Sequence, residues 1–175
     1  MNEPRDFDIR SEREADRDQI AALLDAAFEG HDEAELVDRI RQTPEYVNDL
    51  TLVAHKSGII LGFIMLSYVS LKSGKDSFQV LSLGPLAVVP HAQKTGIGAS
   101  LVEHAVTLCE QRSEPLIVLL GHAEYYPRFG FQRASLHSIK APVNWPDASY
   151  MVLPLAKFSP TMKGAIQYPA SWHIG

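Results

Sequence analysis

The stretch LAVVPHAQKTGIGASLVEHA, at residues 86–105, decides which fold the sequence predicts. It begins as an apolar run typical of a β-strand, stops at Pro90, and resumes with apolar residues at helical spacing. Two glycines, Gly96 and Gly98, lie where the strand gives way to the helix. Because glycine has no Cβ, a ligand can approach the main chain closely at such a junction.

The junction has the chemistry of an anion site. The first N–H groups of a helix have no intrahelical partner, and the helix dipole adds a partial positive charge, so a diphosphate fits there. Lys94 adds a charge nearby. The sequence has no P-loop string, and Leu101 stands where a dinucleotide fingerprint needs its third glycine. Taken alone, the string is equally compatible with a tight turn in which glycine only relieves strain.

The strand before the junction carries Gly84-Pro85 in its middle. Proline removes one ladder hydrogen bond, which a regular central strand does not tolerate. The pair therefore predicts a bulge at which the strand parts from a neighbour and leaves backbone groups free to pair with a ligand. A ligand with an amide-bearing arm and a diphosphate would use both the strand and the turn.

The remaining segments predict a mixed sheet flanked by helices. Antiparallel hairpins come first, and a strand-helix-strand crossover follows. We expect strands at residues 7–10, 50–55, 59–69, 78–89, 115–120 and 150–156, and helices at residues 16–28, from Asp32, and from Gly98. These elements predict a single domain over residues 1–175, with a core at about 7–156 and a C-terminal extension, 157–175, to which we assign no structure.

Composition argues against several kinds of protein. The 175 residues carry a formal net charge of -5 and no basic stripe, so we expect no nucleic-acid partner. Cys109 is the only cysteine, so we expect neither an intrachain disulfide nor a thiolate zinc cluster, and no metal site is predicted. The longest apolar run is too short to cross a bilayer, and the start lacks the apolar core of a signal peptide. We therefore expect a cytoplasmic protein without membrane contact, as a monomer or a homodimer.

Together with YYPRFGF at residues 125–131, the opening stretch resembles the GNAT superfamily of N-acetyltransferases. It is most similar to the branch that carries Tyr-Tyr-x-Arg-Phe-Gly-Phe and a late Tyr-Pro, here Tyr168-Pro169. The resemblance implies an α+β fold with a mixed, mostly antiparallel sheet, flanked by helices. In that sheet two central parallel strands, residues 78–89 and 115–120, would splay apart. It also implies acetyl-CoA as the cosubstrate and a primary amine, on a small molecule or a peptide, as the acceptor.

The resemblance assigns the acetyl-CoA site to this chain residue by residue. The pantetheine arm would pair with the strand, and the diphosphate would rest on main-chain N–H groups of the turn, with Ala99 at its rim. The strand residues are Leu86, Ala87 and Val88, and the turn residues are Gln93, Lys94, Thr95, Gly96, Ile97 and Gly98.

Tyr126 is the catalytic residue that the resemblance implies. In this superfamily the matching tyrosine lies near the thioester sulfur and protonates the departing CoA thiolate. A phenol suits that role because it stays protonated at neutral pH and can still donate as charge builds on sulfur. The alternative is an aromatic core residue in a short helix, which is the role we expect of Tyr125, Phe129 and Phe131.

The base and the acceptor are not assigned by the sequence. Members of the superfamily often use a glutamate on the long strand or a chain of waters, but residues 78–89 offer Ser82 and no carboxylate. His122 and the loop at residues 29–31 are candidate bases. Acceptor contacts are expected at residues 28–32, with Phe28, Glu29 and His31 as candidates, and at residues 144–151. The missing strand carboxylate leaves a rival interpretation, a non-catalytic acyl-CoA-binding or regulatory module of the same fold.

Overall fold

The periodic segments form nine strands and three α-helices in the computed structural model, which describes residues 4–173. In chain order these are β1 (Asp8–Ser11), α1 (Arg17–Phe28), α2 (Asp32–Arg41), β2 (Tyr46–Lys56), β3 (Ile59–Ser73), β4 (Asp76–Val88), α3 (Ile97–Gln111), β5 (Leu116–Leu120), β6 (Gln132–Arg133), β7 (Ile139–Lys140), β8 (Tyr150–Pro154) and β9 (Gly164–Gln167). The ends of the predicted single domain, residues 1–3 and 174–175, lie outside the described residues.

The strands form one mixed sheet whose main path runs β1-β2-β3-β4-β5-β8-β6. Neighbours along this path are antiparallel except for β4 and β5. The short β7 pairs in parallel with β9, which in turn pairs with β3. The predicted α+β fold with a mostly antiparallel sheet is therefore confirmed.

The two central parallel strands separate soon after they meet. β4 pairs with β5 at Leu81 and Ser82, and beyond Ser82 the two strands share no further ladder position in the described chain. On its other edge β4 carries one extra residue opposite β3, at Gly84-Pro85, where the register shifts. Because the bulge bends β4 away from β5, a gap opens between them. The bulge that Gly84-Pro85 predicts and the splay of the two parallel strands therefore occur at the same place in β4.

Helices cover both faces of the sheet, as the alternation of the strands requires. Leu52, Ile64 and Leu66 face one side and join a buried cluster with α3. Val53 and Phe63, their neighbours in the strands, face the other side and join a cluster with α1 and α2. Since burial of each large apolar side chain contributes about 1.5–3 kcal/mol, these two layers hold the splayed sheet in shape.

The C-terminal segment, to which the sequence assigned no structure, returns to the sheet and to α2. β9 pairs with β3 at Ser70, Leu71 and Lys72. A short 3₁₀ turn, Ala170–Trp172, then packs against α2, where Arg39 Nε donates to the Ser171 carbonyl at 3.0 Å. None of the helices in the described chain is both long and apolar enough to span a bilayer.

Candidate active site

A cleft of about 380 Å³ opens where β4 and β5 part. Residues 82–86 of β4 form one wall, and residues 120–122 at the end of β5 form the other. Side chains from the end of α1, from α2, from the loop before β8 and from the C-terminal turn complete the lining. The cleft is therefore built from segments that are distant in sequence and meet only because the sheet splays.

β4 lines the cleft at residues 82–86 and continues beyond it to Val88 and the turn at residues 93–98, and we call this continuation the inner half of the site. It offers main-chain groups. Leu86, Ala87 and Val88 pair with β3 along one edge of β4. Their other edge has no β5 partner in the described chain, because the β4–β5 pairing ends at Ser82. An extended ligand with amide groups can pair with that free edge in the way that an added strand does.

The turn after β4 leaves a run of backbone amides without a hydrogen-bond acceptor. Between Lys94 and Ala99 no backbone N–H donates to another group within residues 4–173, and the first helical bond of α3 runs from Ser100 N–H to the Gly96 carbonyl. Lys94 and Gly96 adopt left-handed conformations, with φ of 64° and 90°. These free amides lie at the positive end of α3, which is the arrangement that binds a phosphate group.

The side chains around the turn hold it in place. Gln93 Nε2 donates to the Val88 carbonyl at 3.2 Å, and the Thr95 hydroxyl donates to the Ala92 carbonyl. Ile97 is buried in the core, so its amide rather than its side chain faces the anion site. α3 begins at Ile97 with Gly96 as its N-cap, one residue earlier than predicted.

Gly98 is required for a reason different from that of Gly96. A Cβ on Gly98 would lie 3.1 Å from the Tyr125 hydroxyl and 3.7 Å from Val88 Cγ2. A Cβ on Gly96 would meet nothing within 4 Å, but its φ of 90° strains any other residue. Gly96 thus shapes the turn, and Gly98 allows α3 to start against the strand and the aromatic segment.

Tyr126 lines the same cleft and is held by close packing. Its ring makes edge contacts with Tyr125 and Phe131, with centroids 5.1 and 5.7 Å apart. It also lies against Gly121, where a Cβ would approach Tyr126 Cε2 to 2.5 Å. Burial, and secondarily Tyr125, raises the pKa of Tyr126 from its ordinary 10.0 to about 12. The phenol is therefore a proton donor at physiological pH.

The expected acceptor residues separate into two groups. Phe28, at the end of α1, lines the cleft, and so do His122 and Ser82. Glu29 and His31 are not among the lining residues; His31 Nδ1 instead lies 2.7 Å from Asp25 Oδ2. The loop at residues 29–31 therefore contributes to the shape of the α1–α2 connection rather than to the cleft surface.

Four polar or aromatic residues of the lining are not identified as site residues by the sequence. Glu33 of α2 supplies a carboxylate, and Trp145, Tyr168 and Trp172 supply aromatic rings. Trp145 falls within the predicted acceptor region 144–151, and the sequence marks Tyr168 only as part of the Tyr-Pro motif. Glu33 lies in an acidic first turn that is equally expected from helix-dipole stabilisation, so no local signal distinguishes it.

Comparisons with known proteins place the chain among acetyltransferases. Residues 8–134 match the family model described as an acetyltransferase (GNAT) domain. The uncharacterized N-acetyltransferase YhbS of Escherichia coli strain K12 is 32% identical over 139 residues, which are 79% of this chain and 80% of YhbS. The uncharacterized N-acetyltransferase YjhQ of the same strain is 31% identical over 118 residues, but the match spans 67% of this chain and only 65% of YjhQ.

Two solved structures with bound ligands have the same fold. The crystal structure of E. coli YhbS in complex with CoA superposes with a TM-score of 0.88 at 26% identity, covering 99% of this chain and 96% of that one. A GNAT family acetyltransferase from Brucella melitensis in complex with acetyl-CoA superposes with a TM-score of 0.77 at 29% identity, covering 95% and 97% of the two chains.

Proposed function

The chain belongs to the GNAT acetyltransferase family, as the resemblance drawn from residues 86–105 and 125–131 implied, and from this premise we propose that it transfers the acetyl group of acetyl-CoA to a primary amine. The observation that carries the proposal is that β4 both lines the cleft that contains Tyr126 and leads into a turn with unpaired amides. The free edge of β4 and the unpaired amides at residues 94–99 suit the pantetheine and diphosphate of CoA, and the Tyr126 ring lines the cleft together with residues 82–86.

The residues present fit the cosubstrate that the relatives bind. The amides from Lys94 to Ala99 would hold the diphosphate, with the Lys94 ammonium nearby, and the free edge at Leu86, Ala87 and Val88 would pair with the arm. Bound there, acetyl-CoA supplies an activated thioester carbonyl.

Direct transfer needs a nucleophilic amine and a protonated leaving group. The acceptor nitrogen loses its ammonium proton to water and forms the C–N bond as the C–S bond breaks. The electron pair of the C–S bond goes to sulfur, and the Tyr126 phenol donates the proton that converts the thiolate to a thiol. A second proton leaves the nitrogen and restores the phenol through water, and the third stays on the nitrogen as the amide N–H. Cys109 takes no part as a nucleophile, because it is fully buried and its pKa is raised to about 12, chiefly by desolvation.

Tyr126→Phe tests this proposal. The substitution keeps the ring and its packing but removes the only proton that it can give. Because general acid catalysis contributes about 10²–10⁴-fold, CoA release with an accepted amine should fall at least about 100-fold while the dissociation constant for acetyl-CoA stays unchanged.

The two measurements separate the enzyme from a module that only binds acyl-CoA. Turnover in the wild type and its loss in Tyr126→Phe support the transferase. Tight binding of acetyl-CoA without turnover on any primary amine would support the binding module instead. Tyr125→Phe serves as the control for loss of a neighbouring hydroxyl, and it should retain most of the activity.

A further inference from the structure

We propose that the acceptor is a small primary monoamine with a flat apolar body and no acidic group, and that Glu33 and the ring wall formed by Trp145, Tyr168 and Trp172 select it. This inference rests on the proposed transfer reaction and names its second substrate. It follows from the charges and the side chains of the outer half of the site, which is the part of the cleft lined by Phe28, Glu33, Trp145, Tyr168 and Trp172.

The charges of the cleft favour one ammonium group. In the part of the chain that the structure describes, Glu33 is the one carboxylate that lines the cleft, and no lysine or arginine lines it. Glu33 is half-buried, so its attraction for an ammonium is screened less than that of an exposed carboxylate. An acceptor that carried a carboxylate or a phosphate would find no lysine or arginine among these lining residues to pair with it, and His122 would be its one basic neighbour there.

The surface of the outer cleft is aromatic. Trp145 and Tyr168 meet edge to face with centroids 6.2 Å apart, and Tyr168 and Trp172 do so at 4.9 Å. All three rings are half-buried, and Phe28 beside them remains 41% exposed. Rings that line a cleft in this way bind a flat apolar body by contact and attract a neighbouring cation through their π faces.

The ring wall is fixed by its own hydrogen bonds. The Ser82 hydroxyl donates to the Tyr168 hydroxyl at 3.1 Å, and the Tyr168 and Tyr150 hydroxyls lie 3.2 Å apart. The turn that carries Trp172 is held to α2 by Arg39. Because these contacts set the rings before a ligand arrives, the wall selects by shape at little cost in ordering.

The size of the cleft favours a small molecule. Its volume of about 380 Å³ must accommodate the acetyl end of the cosubstrate as well as the acceptor. That volume lies near the lower limit of ordinary ligand sites, so a compact amine fits better than a peptide segment.

Tryptophan fluorescence gives a direct binding test, since both tryptophans of the chain line the cleft. The protein is saturated with CoA and titrated with 2-phenylethylamine. Four matched compounds follow: phenylalanine adds a carboxylate, 2-phenylethanol removes the ammonium, n-butylamine removes the ring, and spermidine adds further ammonium groups. We expect 2-phenylethylamine to bind at least about tenfold more tightly than each of them.

Substitutions assign the selection to the named residues. Glu33→Gln should weaken binding of 2-phenylethylamine about fivefold and leave 2-phenylethanol unchanged, whereas Asp32→Asn, which removes a carboxylate from the same helix outside the cleft, should change neither. Trp145→Leu and Trp172→Leu should each weaken 2-phenylethylamine about tenfold, and each variant keeps the other tryptophan as a reporter.

Failure of this inference is distinct from failure of the proposed reaction. If spermidine or phenylalanine binds as tightly as 2-phenylethylamine, or if no amine binds to the CoA-loaded protein, the acceptor class is wrong. Turnover on spermidine with none on 2-phenylethylamine would overturn the acceptor class and leave the transferase standing. Selective binding of 2-phenylethylamine without CoA release would uphold the acceptor class and overturn the transferase.

Discussion

The two halves of the site differ in the groups that form them: one consists of main-chain groups and the other of side chains. The inner half, which we propose for the cosubstrate, consists of main-chain groups from one continuous stretch, β4 and the turn that leads into α3. The outer half consists of side chains from α1, α2, the loop before β8 and the C-terminal turn. A site made of backbone depends on where glycine and proline occur, whereas a site made of side chains depends on which distant segments the fold brings together.

The two halves should therefore respond to substitution in different ways. In the inner half, adding a side chain should weaken ligand binding or stability because it blocks or strains the main chain. Most existing side chains there can be substituted without loss of binding. In the outer half, removing a ring or a carboxylate should weaken binding of the acceptor, because the side chains and not the main chain form the contact surface.

Gly98→Val should have the largest effect. Its Cβ would press on the Tyr125 hydroxyl at 3.1 Å, and its methyl groups would cover the amides at the start of α3. Loss of two charge-assisted hydrogen bonds at about 1.5–3 kcal/mol each predicts at least a 100-fold weaker CoA complex, measured by calorimetry. Gly30→Val is the matched control, because a Cβ there meets nothing within 4 Å. Near-normal CoA binding by Gly98→Val would mean that the turn has only a structural role.

Gly96→Ala should affect stability more than binding. Its Cβ has open space around it, but the φ of 90° costs a residue with a side chain about 1–2 kcal/mol. We expect a lower free energy of unfolding by that amount, measured in urea, and a CoA affinity within a few-fold of wild type. A loss of affinity as large as that of Gly98→Val would show that the two glycines act alike and that the contrast drawn from their surroundings is wrong.

The inner half could be predicted from the sequence because its signals are local. Gly84-Pro85 predicted the bulge that parts β4 from β5, and Gly96 and Gly98 marked the turn. The outer half lacks such a signal. Nothing in the spacing of residues 158–172 predicts that β9 joins β3, and without that pairing Tyr168 and Trp172 cannot be placed beside the cleft. Glu33 could be identified only after α2 was seen to border the gap.

Tyr168→Phe should affect the outer half alone. The change leaves the ring in place but removes the hydroxyl that the Ser82 and Tyr150 hydroxyls contact. Because a hydrogen bond contributes about 0.5–1.5 kcal/mol, the ring wall should loosen and the affinity for 2-phenylethylamine should fall up to about tenfold, with CoA affinity unchanged. Tyr46→Phe, which removes a hydroxyl bound to Glu12 away from the cleft, controls for a general loss of stability. An equal loss of CoA affinity in Tyr168→Phe would show that the halves are coupled.

The smallest predicted effect concerns the pH dependence of the rate. Burial raises the pKa of Tyr126 to about 12, so the acid should remain protonated while the free amine accumulates with rising pH. At about pH 10 a phenol of ordinary pKa would be half ionised and would transfer protons at half the rate, whereas Tyr126 would be about 1% ionised. We therefore expect kcat/KM, divided by the fraction of amine in the free-base form, to stay level from about pH 7 to about pH 10.

Stability limits the pH range of that measurement and supplies its control. Burial also raises the pKa values of Tyr150 and Tyr168. A tyrosine with a raised folded-state pKa stabilises the fold fully below its unfolded pKa near 10, and this stabilisation is lost as the pH rises further. Circular dichroism should therefore be constant up to about pH 10 and decline above it. The contrary outcome is a twofold fall in the normalised rate by pH 10, with constant circular dichroism and no such fall in Tyr126→Phe. That result would show that the Tyr126 phenol is exposed to water during turnover. The cleft would then be more open than the packing of Tyr126 against Gly121 and Phe131 indicates.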